Sequence, residues 1–258
     1  MNKRYPLFCG SLVLFGFTLS ACTVSLHDND HYNARTHFHK TIAPSGALSI
    51  RIGNVSGRIN VLGSNRPDVD VDATVSASDN DALKRITVSV DRIGDEIRVR
   101  TTYPTTFLSF GPHGRVDYTV RIPGSLAVNA SDVDGTVLIA GVNADVSAVS
   151  ISGDVTANTN AGNLNLKSTS GTIVGAVREL TPKSQLTAAS VSGDILFKIP
   201  KHAGASISAH SVSGDFSTNL GLPKTNQTVG TTVNANLNGG GAKISFSTVS
   251  GSISLNGI

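Results

Sequence analysis

The stretch VDGTVLIAGVNADVSAVSISGDVTANTNAGNLNLKSTSGTIVGAV, Val133–Val177, decides how this 258-residue chain is read. Val133-Asp134-Gly135-Thr136-Val137 recurs as Ile151-Ser152-Gly153-Asp154-Val155, as Asn160-Ala161-Gly162-Asn163-Leu164 and as Thr169-Ser170-Gly171-Thr172-Ile173. With Ala144 filling one slot, positions 135, 144, 153, 162 and 171 stand nine apart each time, the mark of a stacked repeat. Later copies at Gly193, Gly214 and Gly251 follow at steps of 22, 21 and 37, and Gly57 in Val55-Ser56-Gly57-Arg58-Ile59 is an early one.

Within a unit every second residue is apolar or glycine, as in Ile151, Gly153, Val155 and Ala157, and this set is expected to face inward. Nine is odd, so an unbroken strand would turn its apolar set outward in the next unit. A corner has to intervene. The expected fold is therefore all-β, a repetitive β-solenoid-like domain of short strands on roughly 9- and 20-residue repeats. The recurrent glycine then stands at a bend or bulge where a Cβ would strike the next coil. A β-sandwich is the alternative, although its strands recur at about 8 to 12 residues with mixed turn chemistry rather than one motif.

Upstream, Leu48 to Ile122 alternates in strand fashion. In PDVDVDATVSA, Val69, Val71, Ala73 and Val75 share one face, and Asp68, Asp70, Asp72 and Thr74 share the other. In RVDYTVRIP, Val116, Tyr118, Val120 and Ile122 are expected inward. This half reads as an antiparallel β meander, with one helical turn in SDNDALKR capped by Asp79 or Asn80. Alternate strand residues lie roughly 6.6 to 7 Å apart, too far for one calcium ion to use Asp68, Asp70 and Asp72 together. Cross-strand pairing with Arg98, Arg100, Arg115 and Arg121 is the simpler expectation.

The N-terminus has its own logic. Lys3 and Arg4 precede an apolar run, Leu12 to Leu19, too short to span a bilayer, which is the layout of a secretory signal. The run ends in Leu19-Ser20-Ala21-Cys22, which resembles the bacterial lipobox. That resemblance implies cleavage before Cys22, acylation of its sulfur, and, with Thr23 rather than Asp beside it, an outer-membrane lipoprotein. The expected organisation is a signal peptide over 1–21, a lipidated Cys22 with a polar tether over 22–45, and one all-β domain over 46–258, its meander part 46–130 and its repeat part 131–258. The tether carries His27, His31, His37 and His39 with Asp28 and Asp30, residue types that suit a transition metal, but their spacing is that of a solvated segment.

Cleavage removes Lys3 and Arg4 and so two of the +3 formal charges. No basic stripe interleaved with aromatics is present, so nucleic acid is not an expected partner. Cys9 leaves with the signal and Cys22 carries lipid, so no thiol is left for a disulfide, a nucleophile or a metal.

The run RVDYTVRIPGSLAVNASDVDGTVLIAGVNADVSAVSISGDV, with GNVSGRINVLGSNRPDVDVDATV before it, resembles the bacterial β-strand-repeat family labelled "putative adhesin", over nearly the whole mature domain. The shared pattern is a repeated hydrophobic-Ser-Gly-Asp-hydrophobic unit after a strand ending in Val-Arg-Ile-Pro, here Val120 to Pro123. The resemblance implies a repetitive all-β envelope domain. It brings no catalytic residues.

No G-x-S-x-G elbow, H-E-x-x-H, P-loop or G-x-G-x-x-G before a helix occurs, and no enzyme is expected. Calcium-binding nonapeptides share the nine-residue period but need paired glycines and an Asp in each unit, whereas these units read SGDV, AGNL and SGTI. Asp154, Asp194 and Asp215, each after a repeat glycine, read as turn formers. Without Trp a stacking sugar cleft is poorly supplied. The loop Tyr103 to Arg115 concentrates Tyr103, Phe107, Leu108 and Phe110, either as a cap on the core or as a contact surface, and His113 in it reads as surface. The expected role is binding, adhesion or scaffolding in the cell envelope, with the membrane through the lipid and an envelope protein or surface polysaccharide as partners and no cofactor or metal. A polysaccharide-acting solenoid lyase or hydrolase is the alternative.

Overall fold

The computed structural model describes residues 32–103, 114–222 and 230–258. Two strand series wind through it. The first is β1 (Ala34–Ile42), β2 (Ser49–Gly53), β3 (Ser56–Ser64), β4 (Val69–Ala77), helix α1 (Asn80–Arg85), β5 (Thr87–Ile93), β6 (Glu96–Thr102) and β7 (Gly114–Pro123). The repeat part follows as β8 (Ala127–Ala140), β9 (Val146–Ser152), β10 (Val155–Thr159), β11 (Leu164–Ser170), β12 (Ile173–Val177), β13 (Gln185–Ser192), β14 (Ile195–Ile199), β15 (Ala205–Ser213), β16 (Phe216–Thr218), β17 (Thr231–Leu237), β18 (Ala242–Ser250) and β19 (Ile253–Gly257).

The nine-residue period is half a coil. Each coil runs along one wall, turns at the repeat glycine and returns along the other. Gly135 stacks on Gly57, and each wall pairs in parallel with its neighbours: β8 with β9, β9 with β11 and β11 with β13 on one, and β8 with β10, β10 with β12 and β12 with β14 on the other. Strand β8 bends across the corner and joins both walls into one sheet. Parallel pairing between coils rules out the β-sandwich alternative, whose sheets are antiparallel.

The core fills from both walls. Val146, Ala148, Val155, Ala157, Leu164, Leu166, Ile173 and Val177 are all fully buried, and Phe197 and Phe246 meet there with ring centroids 4.5 Å apart. The inward set of the unit differs from the expected one at its first position. Ile151 is 52% exposed, as is Val191, and it is Ser150 that points inward. The corner takes up residues 153 and 154, so the parity changes there and the residue two before the glycine faces out. The glycine itself stands where its missing Cβ matters, since a Cβ at Gly153 would lie 1.9 Å from the Gly135 carbonyl oxygen. The same close approach recurs at Gly57, Gly135, Gly171, Gly193, Gly214 and Gly251, and at Gly162 against Ala144 on the opposite corner.

The upstream half corrects two expectations. It is not a simple antiparallel meander: β4 pairs antiparallel with β1 and β7, and β5 with β6, but β2 lies parallel between β6 and β8, and β3 parallel between β7 and β8. Strands β2 and β3 thus form a coil of the solenoid, which the glycine of their own unit, Gly57, already marks. The second correction is to the polar tether, because Ala34–Ile42 is strand β1, in nine-residue register with β4. As the last strand at one end of the stack it covers little core, so Thr36 and Lys40 stay exposed at positions that would otherwise be apolar. Lys40 Nζ instead donates to the Val90 carbonyl at 2.6 Å, across the open end. Helix α1 forms where expected, with Asp79 Oδ1 accepting from the Asp81 and Ala82 N–H groups at 2.9 and 2.7 Å. Among the described residues no helix is long and apolar enough to cross a membrane.

Candidate functional site

Two features of the described surface carry polar chemistry. The first runs along the β8–β9–β11–β13 wall. Strand register places Asn129, Ser147, Asn165, Thr187, Ser245, Ser208 and Asn234 side by side on seven successive strands. At about 4.8 Å per strand this column is roughly 29 Å long. The repeat makes it: the same outward register position carries a small polar residue on each of these seven strands. None of these side chains makes a hydrogen bond within the described residues, whereas at the corners Asp145, Asp154, Asn163 and Asp194 accept from backbone N–H groups of the next coil. A groove of about 580 Å3 lies over the first half, bordered also by Asp145, Asn163, Lys167 and Gln185, and a second of about 430 Å3 lies over Ser208 and Asn234. At its far end the column reaches Arg51 and Arg98, both bonded to Glu96, whose carboxyl is held below its ordinary range chiefly by the Arg98 hydrogen bond.

The second feature lies on the outer face of β1, β4 and β7. Pairing sets Thr41, Asp70 and Arg121 in one row and His39 and Asp72 in the next. His39 Nδ1 lies 2.8 Å from Asp72 Oδ1 and Nε2 lies 3.6 Å from Asp70 Oδ1. Arg121 reaches the other oxygens, 2.8 Å from Asp72 Oδ2 and 3.5 Å from Asp70 Oδ2. Arg66 holds Asp68 at 3.1 Å and approaches Asp70 at 3.9 Å. The hydrogen bond to Asp72 raises the His39 pKa, and the same bond, with Arg121, lowers that of Asp72. Asp68 is lowered by its hydrogen bond to Arg66.

Three potential ligands, His39, Asp70 and Asp72, thus stand within 4.8 Å of one another. Their carboxylates are already matched by Arg121, Arg66 and the imidazole, so the arrangement is a cross-strand clasp on the edge strand. The expected pairing of the aspartates with outward arginines holds for Arg121. Arg98 and Arg115 instead bond Glu96 and Asp117 on their own strands. A reading that leaves residues 22–45 as tether names His39 but not its pairing with Asp72 on β4. The signal was present in the even spacing of His37, His39 and Thr41, since His37 also faces β4 and lies 3.2 Å from the Thr74 hydroxyl.

Asp154 and Asp194 do more than form turns. Their carboxylates accept from the backbone N–H of the next coil, Thr172 at 2.8 Å and Ser252 at 2.7 Å. Tyr103 is half-buried, and its hydroxyl donates to the Ser56 carbonyl at 3.4 Å. Cys22, His27, His31, Asp28, Asp30, Phe107, Leu108, Phe110 and His113 lie outside the described residues.

A two-walled all-β solenoid with a stack of glycines along one corner and small polar residues along one wall defines a class of β-repeat domains. Within that class the chain belongs to the Toastrack DUF4097 family, whose model matches residues 124–256. Its fold is similar to that of a putative cell adhesion protein from Clostridium sporogenes, at 13% identity and a TM-score of 0.55, over 87% of this chain and all of that one. Two further crystal structures, putative adhesins from Bacteroides fragilis and Parabacteroides merdae, match at 14% and 12% identity with TM-scores of 0.35 and 0.29. Each covers 86% of this chain, over 97% and 96% of its own. No curated protein matches the sequence.

Proposed function

We propose that the protein is a lipid-anchored envelope module whose solenoid wall binds an extended, neutral polysaccharide, as an adhesin or scaffold would. The observation that carries this is the column Asn129, Ser147, Asn165, Thr187, Ser245, Ser208 and Asn234, seven neutral donors and acceptors in a grooved line with no side-chain hydrogen bond among the described residues. A linear glycan presents its hydroxyls at a regular repeat, and successive strands present the side chains of the column about 4.8 Å apart. Each coil then offers the same contact to the next sugar. Without aromatic platforms each contact is weak, and affinity accumulates by repetition.

In this reading the anchor is Cys22, in a run that resembles a lipobox, and Thr23 after it favours the outer membrane. No catalysis is part of this reading, since the acidic and basic groups gathered on β1, β4 and β7 neutralise one another.

The test uses the acylated chain in detergent against polysaccharide fractions extracted from the host envelope. Binding to one fraction is expected, weakened at least tenfold by Asn129→Ala, Asn165→Ala and Thr187→Ala together. Binding that ignores the triple variant removes the wall from the argument, and release of new reducing ends would establish the solenoid-enzyme alternative instead.

A further inference from the structure

At most of the glycine corners an inward side chain three residues ahead of the glycine bonds across to the neighbouring coil. Ser150 Oγ donates to the Gly135 carbonyl, Ser168 Oγ to Gly153 at 3.1 Å, Thr248 Oγ1 to Gly193 at 3.1 Å and Ser211 Oγ to Gly251 at 2.8 Å. In the coil of β2 and β3 an amide does the same, with Asn54 Nδ2 donating to the Val116 carbonyl at 3.0 Å. Ser190 stands in the same column, without a hydrogen bond. The column is one of donors facing carbonyl oxygens.

At one coil this position is an acid. Asp132 pairs with Ser150 in the ladder and is 3% exposed. Its Oδ1 accepts from the Val133 N–H at 3.0 Å, while its Oδ2 is buried without a hydrogen bond among the described residues. Stacking puts Gly57 where Gly135 stands for Ser150, so the acceptor for this coil is the Gly57 carbonyl. Both oxygens converge on one spot, since a Cβ at Gly135 would lie 1.7 Å from Gly57 O and 2.5 Å from Asp132 Oδ2. Two acceptors face each other there, and only a proton between them completes the ladder.

We propose that Asp132 is carried in the folded protein as a neutral carboxylic acid whose hydroxyl donates to the Gly57 carbonyl, and that this proton makes the first corner of the repeat a pH-sensitive element. The Val133 N–H bond favours the charged form, but burial and the neighbouring charges outweigh it. Burial disfavours the charge most, and Asp134 on the same strand and Asp117 on β7 add repulsion, which together push the carboxyl up to about 6. Asp117 is itself bonded by Arg115 at 2.7 Å and by the Arg58 backbone N–H of β3 at 2.9 Å. Strand β9 brings the uncharged Ser150, and the end of β6 brings Tyr103, whose own ionisation is suppressed by burial.

The folded state therefore holds the proton more tightly than the unfolded chain, where an aspartate titrates near 3.9. Stability is fully present below about pH 4, falls as pH rises from 4 through 6, and stays at the lower level above. A shift of about two units is roughly a hundred-fold change in the folding constant. A domain outside the cytoplasm takes the pH of its surroundings, so this corner tightens in mild acid and loosens at neutral pH.

The test is urea unfolding of the acylated chain in detergent between pH 3.5 and 8, for native protein, Asp132→Ser and Asp132→Asn, with a carboxyl 13C titration of Asp132 in the native chain. The native folding constant is expected to drop by up to a hundred-fold between pH 4 and 7. Both variants, as permanent donors, are expected to lack that drop and to exceed the native protein at pH 7.5. A carboxyl midpoint near 6 supports the proposal even where a variant fails to fold. A midpoint below 4.5 overturns it, as does a native pH slope that both variants retain. Restoration of stability at pH 7.5 by millimolar Ca2+ also overturns it, because the site would then hold a cation rather than a proton.

Discussion

Replacing Gly153 by Val puts the close stacking of coils to its most direct test. At φ +145° the residue sits in a region open in practice to glycine alone, which costs a side chain about 1 to 3 kcal/mol. The new Cβ would meet the Gly135 carbonyl at 1.9 Å and its carbon at 2.8 Å. Ordinary contact begins near 3.4 Å, so the coils must part by more than an ångström, against the Ser150 to Gly135 and Val137 to Asp154 hydrogen bonds. Overpacking of this kind adds about 1 to 3 kcal/mol. A total near 4 kcal/mol lowers the melting temperature by roughly 8 to 16 °C in a domain of this size. Asp154→Ala removes only one solvent-facing hydrogen bond, to the Thr172 N–H, worth about 1 kcal/mol. Gly94→Ala serves as control, because it keeps a positive φ of 64° but has nothing within 4 Å of its Cβ, so it pays strain without collision. Thermal melts followed by circular dichroism decide the matter. A Gly153→Val loss no larger than that of Asp154→Ala or Gly94→Ala would refute the close approach.

Four further outcomes are expected. Cys22→Ser should move the protein from the membrane pellet to the soluble or unprocessed fraction, as read by fractionation and immunoblotting. Phe107→Ser with Phe110→Ser separates the two readings of the loop, since a core cap loses several kcal/mol whereas a contact surface melts nearly unchanged and loses attachment to cells. Ile151→Ser should change stability by less than about 0.5 kcal/mol despite removing a large apolar side chain from the repeat, since that residue faces water. The imidazole of His39 should titrate above an ordinary histidine by NMR, and Asp72→Asn should bring it back down. Because its folded pKa is raised, the hold of β1 on β4 is present at low pH and weakens as pH rises through that midpoint.

The aspartates of β4 show how far local pattern reaches. Val69, Val71, Ala73 and Val75 alternate with Asp68, Asp70 and Asp72, and the buried face follows from that period alone. That Asp70 is itself 7% exposed depends on Arg121 and Thr41 arriving from two other strands. Strand β1 escaped notice because an edge strand at the end of a stack needs little apolar pattern to pair its backbone.

The sequence by itself determined the all-β class, the nine-residue half-coil and the role of Gly57, Gly135, Gly153 and their later copies, because these rest on contacts repeated at a constant separation. It also held the column of Ser150, Ser168, Ser190, Ser211 and Thr248, with Asn54 and Asp132 as its two departures, for a reader aligning the third residue ahead of each glycine. Only the tertiary structure decided the order of the coils. The final coil, β18 and β19, inserts between β13–β14 and β15–β16, so the chain's end lies inside the stack and β17 closes one wall at the edge. Every coil presents much the same apolar inner face, so local pattern is indifferent to which coil lies on which. The choice falls to parallel pairing over long separations, where the whole register of one strand against another is won or lost together.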